Sequence, residues 1–220
     1  YYLGFHSNQS AFSDVVGKET RHSFGLRSFG AFGKFSYNTE LILQIGELAE
    51  SNILAYNLES DWKYSFSNFK WKPKIGLKLD WSSGDATAAD GKIGTFNPMF
   101  VNPGLYSLAA INTPANLTSL HPSITVFPLP KLIIYMDYAF FYRTKAADAF
   151  YSPPRFISRP GMEENSKHLG DALGIQIKYE FNRNLSFDLL SSYFLPGKFM
   201  EETGEAENIF FMAPTLNFRF

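Results

Sequence analysis

Large apolar residues alternate with polar or small residues, position by position, over most of this chain of 220 residues. In the segment WKPKIGLKLDWSS, for example, Trp71, Ile75 and Trp81 belong to one row, whereas Lys74 and Asp80 belong to the other. A period of two residues is that of a β-strand, because successive side chains point to opposite faces of a sheet. Helical periodicity is hard to find anywhere in the sequence. The chain is therefore predicted to be all-β.

The alternation predicts ten strands, several of them ten residues or longer, whereas strands in globular proteins usually have about five or six residues. A tilted strand needs about 9–11 residues to cross a bilayer. Short and long connections alternate, as in the up-and-down barrels of outer membranes. The predicted strands lie at 1–5, 19–32, 34–47, 52–66, 71–83, 119–127, 131–143, 167–181, 184–196 and 207–220. The predicted long connections cover 6–18, 84–118, 144–166 and 197–206, with one short exception at 48–51.

Composition supports a membrane barrel and excludes other classes. The chain has 23 Phe, 12 Tyr and 3 Trp, more aromatic residues than a soluble core of this size needs. Several of them end the apolar rows, as interfacial girdles do: Trp71, Trp81, Phe181 and Phe220. The 20 basic and 21 acidic residues almost cancel, which gives no electrostatic case for binding nucleic acid. The absence of cysteine excludes disulfides and thiolate metal sites.

The polar rows carry many charged residues, and these decide between a membrane barrel and a soluble one. A soluble β-sandwich or a lipocalin-like barrel would also alternate, but its apolar row would face inward and its strands would be shorter. In a membrane barrel the charged rows would line a hydrated lumen. The predicted inward-facing polar residues are Arg21, Arg27, Glu40, Gln44, Glu59, Asp61, Lys63, Lys72, Lys74, Lys78, Asp80, Asp137, Arg143, Lys178, Glu180, Asp188 and Arg219.

Several stretches occur in the order seen in alginate-export-type outer-membrane porins, and the chain resembles that family. They include RHSFGLRSFGAFGKFSYNTELILQIGE, KPKIGLKLDWSSGDA, TFNPMFVNP, NLTSL, FFYRTKAADAFY and SKHLGDALGIQIKYEFN. The most specific are Ser83-Gly84-Asp85, Phe96-Asn97-Pro98 and Asn116-Leu117. The resemblance covers nearly the whole chain but only the C-terminal portion of the family, whose members form 18-stranded monomeric barrels. It implies that residues 1–220 are a single transmembrane antiparallel up-and-down β-barrel domain lacking its N-terminal strands; a self-contained ten-stranded relative is the alternative.

The resemblance implies an outer-membrane channel for passive passage of anionic solutes or of a polyuronate-type polysaccharide. The residues expected to line the pore or bind substrate are Arg21, Arg27, Glu40, Lys72, Lys74, Lys78, Asp80, Arg143 and Lys178. Rings of Arg and Lys select anions in a narrow pore. Alternatively, these basic residues hydrate the wall and pair with Glu40, Asp80 and Glu180, since acidic residues are as numerous. A structural or partner-binding barrel without an open pore is the second reading of the whole chain.

The last strand carries a further expectation. Phe220 is similar in position to the terminal aromatic residue that the barrel-assembly machinery reads in this class. The last strand would also pair with the first, because a membrane barrel leaves no sheet edge open. The other expected partners are the lipid bilayer, lipopolysaccharide, anionic small molecules or polysaccharide, and other envelope proteins.

Other motifs receive weaker interpretations. The long connection 84–118 could fold inward as a gate, and Asp85 and Asp90 could bind Ca²⁺, although hydrogen-bonded aspartates in a glycine turn fit their spacing better. The segment NSKHLGD offers Ser166, His168 and Asp171, but strict alternation places Asp171 on the opposite face from the other two. We therefore predict no enzyme activity, no metal and no cofactor.

Overall fold

Ten long antiparallel strands form one sheet, and each pairs with the next long strand along the chain. The computed structural model describes residues 1–12, 15–87, 89–100, 109–153 and 156–220. The elements are β1 (Tyr2–Phe12), β2 (Val15–Phe32), β3 (Phe35–Leu48), β4 (Ser51–Ser65), β5 (Lys74–Ser82), β6 (Lys92–Ile93), β7 (Leu117–Leu129), β8 (Leu132–Arg143), β9 (Phe150–Ser152), β10 (Phe156–Arg159), β11 (His168–Glu180), β12 (Leu185–Pro196), α1 (Lys198–Thr203) and β13 (Ile209–Phe218). The sheet order is β1-β2-β3-β4-β5-β7-β8-β11-β12-β13, which is the predicted up-and-down meander.

Each of the ten predicted strands is confirmed, but the expected long connection at 6–18 is wrong. β1 continues to Phe12 and β2 begins at Val15, so both strands run through this region. Their pairing shifts register between Ser7 and Ser10, and the segment HSNQS is polar on both faces. A prediction based on alternating apolar residues therefore ends the first strand too early.

The start of β5 differs as well. Trp71 and Lys72 adopt φ angles of 65° and 44°, which belong to a turn and not to a strand. The turn is fastened by hydrogen bonds from Phe66 N to Pro73 O and from Lys72 N to Phe69 O. Trp71 continued the apolar row in the sequence, which explains why the predicted strand began at 71.

The two ends of the strands, which form two opposite rims of the sheet, differ in their connections. One rim, called here the turn edge, carries the short turns that follow the strand ends at Phe32, Ser65, Leu129 and Glu180. The opposite edge, called the loop edge, carries the tight turn after Leu48 and three long connections. These long connections contain β6, the β9–β10 hairpin and α1 respectively. All long connections therefore lie on one side, as predicted.

The two faces of the sheet are also distinct. The outer face is apolar and exposed over its whole width, with Phe24, Leu43, Leu54, Ile75 and Leu216 each at least 44% accessible. The inner face carries the predicted polar row, and the long loops pack against its upper half, near the loop edge. A contiguous exposed apolar face of this extent is typical of the outer surface of a sheet that spans an outer membrane.

Buried apolar residues form two clusters beneath the loops. One lies near β8, β11, β12 and α1 and includes Phe141, Leu169, Phe194 and Phe199. The other lies near β3, β4 and β6 and includes Leu48, Ile53, Ile93, Phe96 and Tyr151. The loops are thus held onto the inner face by apolar burial at two points.

The sheet path begins at β1 and ends at β13. In the described ranges no pairing joins these two strands, so the expected contact between the first and last strands of the complete barrel stays a prediction. The role of the chain as part of a larger barrel stays a prediction. None of the helices in the described ranges is long and apolar enough to cross a membrane.

Candidate functional site: the inner face of the sheet

Arg21 of β2 fastens the long connection after β5 to the sheet. Its guanidinium is fully buried and donates hydrogen bonds to Glu19 Oε1 at 2.7 Å, Gln44 Oε1 at 2.7 Å and the Thr95 carbonyl at 3.0 Å. Gln44 and Asn97 also bond to each other twice, side-chain amide to backbone, at 2.8 and 2.9 Å. A predicted pore-lining residue is therefore covered by the segment 95–97.

Asp148 joins two of the long loops. Its carboxylate is fully buried and accepts hydrogen bonds from Asp85 N (2.9 Å), Thr95 Oγ1 (2.5 Å), Ala149 N (2.7 Å) and Tyr151 OH (2.8 Å). Hydrogen bonds to an ionised acceptor are stronger than neutral ones, and their protein donors compensate for burying the charge. Asp148 thus links the connection after β5 to the β9–β10 hairpin.

Asn116 makes a second link between the same loops. Its side chain donates to the carbonyls of Lys145 and Ala149 at 2.9 and 3.0 Å and accepts from Lys145 N at 2.7 Å. A Cβ atom at Gly84 would lie 2.0 Å from Asn116 Oδ1, so only glycine fits at that position. The motifs Ser-Gly-Asp and Asn-Leu, which are far apart in the sequence, therefore meet in one contact.

Arg143, at the end of β8, holds the loop that follows it and the helix α1. Its guanidinium donates to the carbonyls of Ala146, Asp148, Asn165 and Ser166 and lies 3.8 Å from the centroid of the Phe199 ring. Cation–π contacts with a desolvated guanidinium are among the stronger of their kind. Like Arg21, Arg143 is buried and contacts loop atoms in this structure.

A network of paired charges crosses the middle of the inner face. The buried carboxylate of Asp80 accepts a hydrogen bond from Ser119 Oγ at 2.7 Å, and Lys78 Nζ lies 3.6 Å from it and 3.8 Å from Glu59. His121 lies 3.7 Å from Asp80 and 3.4 Å from Asp137. Both predicted residues, Lys78 and Asp80, are therefore part of one network of opposed charges.

The remaining predicted basic residues lie nearer the turn edge. Arg27 is exposed, donates to Asn38 Oδ1 at 2.8 Å and stacks over Phe29. Lys74 lies over the Phe127 ring, and Lys178 pairs with Glu180 at 3.2 Å. Lys72 is in the turn before β5 and is displaced from the strand row to which it was assigned.

Two further predicted residues lie in different surroundings. Glu40 accepts a hydrogen bond from Tyr1 OH at 2.9 Å on the inner face. Phe220 follows the end of β13 and is fully exposed. Pore lining and substrate binding stay predictions for this whole residue set, and so does the assembly role of Phe220.

The described parts of the connection after β5 contact the inner face through Thr95 and Asn97, as one interpretation of the sequence had it. The side chains of Asp85 and Asp90 accept hydrogen bonds from the backbone of Thr87 and Lys92, which is the arrangement expected of aspartates in a glycine turn. Burial, with the nearby Asp148 carboxylate, raises the pKa of the Asp85 carboxyl to about 6. A function for this segment as a gate stays a prediction.

The expected separation of Asp171 from His168 is wrong. His168 Nε2 lies 3.1 Å from Asp171 Oδ1, and Tyr138 OH donates to the other carboxylate oxygen at 3.2 Å, on the outer face. A register shift between His168 and Gly170 inserts one extra residue and brings Asp171 to the same face. Ser166 Oγ accepts a hydrogen bond from the His168 backbone. The predicted lack of enzyme activity stays untested.

The residues that sequence reasoning missed are those that connect loops to each other or to the sheet. Glu19, Gln44 and Asn97 form one such contact, and Asp148 and Arg159 form others; Arg159 donates to the carbonyls of Met200 and Glu205. Gln44, Asn97 and Asp148 stood in stretches that were quoted for the family resemblance, and Gln44 was also predicted on the inner face, but none of the three was assigned a contact with a loop. Loop residues have no period that marks their partners, so the sequence held no signal for the rest.

The fold and this inner face define an all-β, up-and-down sheet of the outer-membrane transport type, apolar towards lipid and polar within. The family described as Alginate export matches residues 1–212, and the chain belongs to it. This family is associated with the outer membrane and with polysaccharide export, which agrees with the β-rich structure. A search of curated proteins found no match.

Proposed function

We propose that the protein provides a passive route across the bacterial outer membrane for anionic solutes or a polyuronate-type polysaccharide. The observation that carries the proposal is the division between an exposed apolar outer face and a charged inner face on ten long strands of one meander. Membership of the Alginate export family supports the class of cargo. Lipid and lipopolysaccharide would contact the outer face, and the assembly machinery would read Phe220.

The exposed cations of the inner face support a preference for anions. Arg27 donates to an amide and lies over an aromatic ring, and Lys74 lies over an aromatic ring. Glu40 stands opposite Arg27 on β3 but is hydrogen-bonded to Tyr1 OH, so both cations can act on a passing carboxylate. Lys78 and Lys178 are paired with carboxylates, which weakens their field in the lumen. The preference for anions would therefore come mainly from the half of the inner face near the turn edge.

Single-channel conductance of the complete protein in a planar bilayer, under a salt gradient, tests this proposal. The expected result is a steady conductance that prefers anions and is blocked by uronate oligomers. The double variant Arg27→Gln, Lys74→Gln should lower the anion-to-cation permeability ratio. Lys18→Gln, which removes a charge from the outer face, should leave it unchanged. A conductance that prefers cations in the unmodified protein would contradict the proposal.

The second candidate is a structural or partner-binding barrel without an open pore. It is favoured by the long loops, which cover the upper inner face through Arg21, Asp148 and Arg143. A protein that is folded in the bilayer but silent at every voltage and salt concentration would favour this candidate. The exposed loop surface would then be the place to look for other envelope proteins.

A further inference from the structure

The turns of the turn edge carry basic side chains and no acidic ones. The segments are 33–34, 66–73, 130–131 and 181–184, with residues 219–220 after β13. Their charged side chains are Lys34, Lys70, Lys72, Lys131, Arg183 and Arg219. The strand ends beside them include Glu180, but that carboxylate pairs with Lys178 at 3.2 Å on the inner face. The turns therefore give this rim of the sheet a net positive charge.

The loop edge has the opposite sign. Among the residues that the structure describes in its connections, acidic residues outnumber basic ones. The connection from β12 to β13, for example, has Lys198 as its one basic residue but four acidic ones, Glu201, Glu202, Glu205 and Glu207. The sheet is thus electrically polar along its strands, and an anionic partner is attracted to the turn edge and repelled by the loop edge.

We propose that the turn edge binds the anionic headgroups of glycerophospholipids, with phosphatidylglycerol as the probe, in the leaflet around it. The short turns of outer-membrane barrels lie on the periplasmic side, so this leaflet is the periplasmic one. The inference goes beyond the proposed function, because it concerns the lipid outside the sheet and not a solute that passes along its inner face.

The first reason is that turn lysines stand beside exposed aromatic residues. Phe32 and Phe35 face each other at the ends of the outer rows of β2 and β3, and Lys34 lies in the turn between them. Lys70 Nζ lies 5.6 Å from the centroid of the exposed Trp71 ring. Aromatic rings at the rim of a membrane protein lie at the level of the lipid headgroups. A lysine stem can follow apolar surface there while its ammonium reaches the phosphates.

The second reason is that the remaining two turns repeat this arrangement. Lys131 Nζ donates a hydrogen bond to the Phe181 carbonyl at 2.7 Å, which places its charge beside another exposed aromatic residue. Arg183 lies in the same turn as Phe181. An anion that passes along the inner face would instead meet Arg27 and Lys74. The outer rim of the turn edge therefore fits lipid headgroups better than cargo.

The expected strength follows from the charge. Each Lys or Arg near an anionic membrane surface strengthens the association by about fivefold. Phosphatidylcholine has no net charge and gains nothing from this attraction. A lipid position that meets one such cation should therefore prefer phosphatidylglycerol by about fivefold. Averaged with a loop-edge leaflet that shows no preference, the value for all lipid around the protein is about threefold.

The test compares spin-labelled phosphatidylglycerol with spin-labelled phosphatidylcholine around the complete protein in bilayers of phosphatidylcholine. Electron spin resonance measures the fraction of each probe that the protein immobilises, and hence their relative association constant. We expect a preference of about threefold for phosphatidylglycerol at low salt. It should be lost at about 1 M salt, where the Debye length is about 3 Å. Equal association of the two probes at low salt would overturn the inference.

Two triple variants locate the preference at the turn edge. Lys34→Gln, Lys70→Gln, Lys131→Gln removes three charges from three turns and should reduce the preference to about 1.5-fold or below. Lys34→Arg, Lys70→Arg, Lys131→Arg, which keeps the charges, should leave it at about threefold. A glutamine variant that still prefers phosphatidylglycerol as strongly as the unmodified protein would refute the assignment to this edge.

The matched control removes the same charge from exposed residues of the loops: Lys92→Gln, Lys145→Gln, Lys198→Gln. Its preference should stay at about threefold. An equal loss in this variant and in the turn-edge glutamine variant would show that net charge attracts the lipid and would overturn the inference. Displacement of the phosphatidylglycerol probe by an excess of uronate oligomers would assign the turn edge to cargo instead.

Discussion

Replacing Asp148 with alanine should release the loops from the inner face without unfolding the sheet. The substitution leaves four buried donors without their acceptor, on Asp85, Thr95, Ala149 and Tyr151. Each bond to a charged acceptor contributes about 1.5–3 kcal/mol, but such bonds are not additive. Removing one partner of a buried charged network typically costs about 3–5 kcal/mol. We take the cost of Asp148→Ala as about 4 kcal/mol and assign all of this loss to the contact between the loops.

Hydrogen–deuterium exchange read by mass spectrometry measures this cost locally. A loss of about 4 kcal/mol should raise the opening constant of segment 83–97 by about a thousandfold, provided that reclosing is faster than exchange. The hairpin 145–152 should lose protection with it, whereas β2 and β3 should not. Amides that report the change include those of Asp85 and Phe96, which bond to Asp148 and to the Ser83 carbonyl.

Asp90→Ala is the matched control. Asp90 is an exposed aspartate of the same loop that accepts one hydrogen bond, from Lys92 N at 2.9 Å. Its loss should change exchange by no more than about threefold, the usual range for a surface substitution. If Asp148→Ala left segment 83–97 as protected as Asp90→Ala does, the apolar clusters alone would hold the loops, and the reasoning would be wrong.

Three further outcomes are expected. Because the pKa of Asp85 is raised, the closed loop holds the proton more tightly than the open one. Protection of segment 83–97 against hydrogen exchange should therefore fall as pH rises from about 5 to 7.5. Asp85→Asn should remove this dependence on pH. Leu41→Arg places a charge on the exposed outer face near the middle of β3 and should cost about 2–4 kcal/mol of folding free energy in a bilayer. The control is Phe69→Arg, in the exposed turn between β4 and β5. Equal folded fractions for the two variants would argue against a lipid contact. Asn116→Asp replaces a donor to two carbonyls with a carboxylate and should speed proteolysis at 144–153 by at least about tenfold, while leaving the trypsin sites of the turn edge unchanged.

Much of the sheet could be predicted from the sequence, but its contacts above the inner face could not. The outer row of β13, with Phe210, Met212, Leu216 and Phe218, is legible because each strand repeats its pattern every two residues. The extra residue between His168 and Gly170 could not be predicted, since a bulge changes the face on which a side chain lies without changing the composition of the strand. The left-handed φ of Lys72 was missed for a different reason: the neighbouring Trp71 extended the apolar row and hid the turn.

The fold class, the ten strands and the division into an apolar and a polar face follow from the sequence alone. These are local properties, set by the alternation of neighbouring side chains and by strand length. The three-dimensional structure was needed to show that Arg21 and Arg143 contact loop atoms, and that Glu40 and Glu59 stand opposite each other on β3 and β4. Such contacts join residues up to 78 positions apart, as between Asn97 and Glu19. They depend on where the loops settle, because burial and hydrogen-bond satisfaction are shared among segments that no local pattern connects.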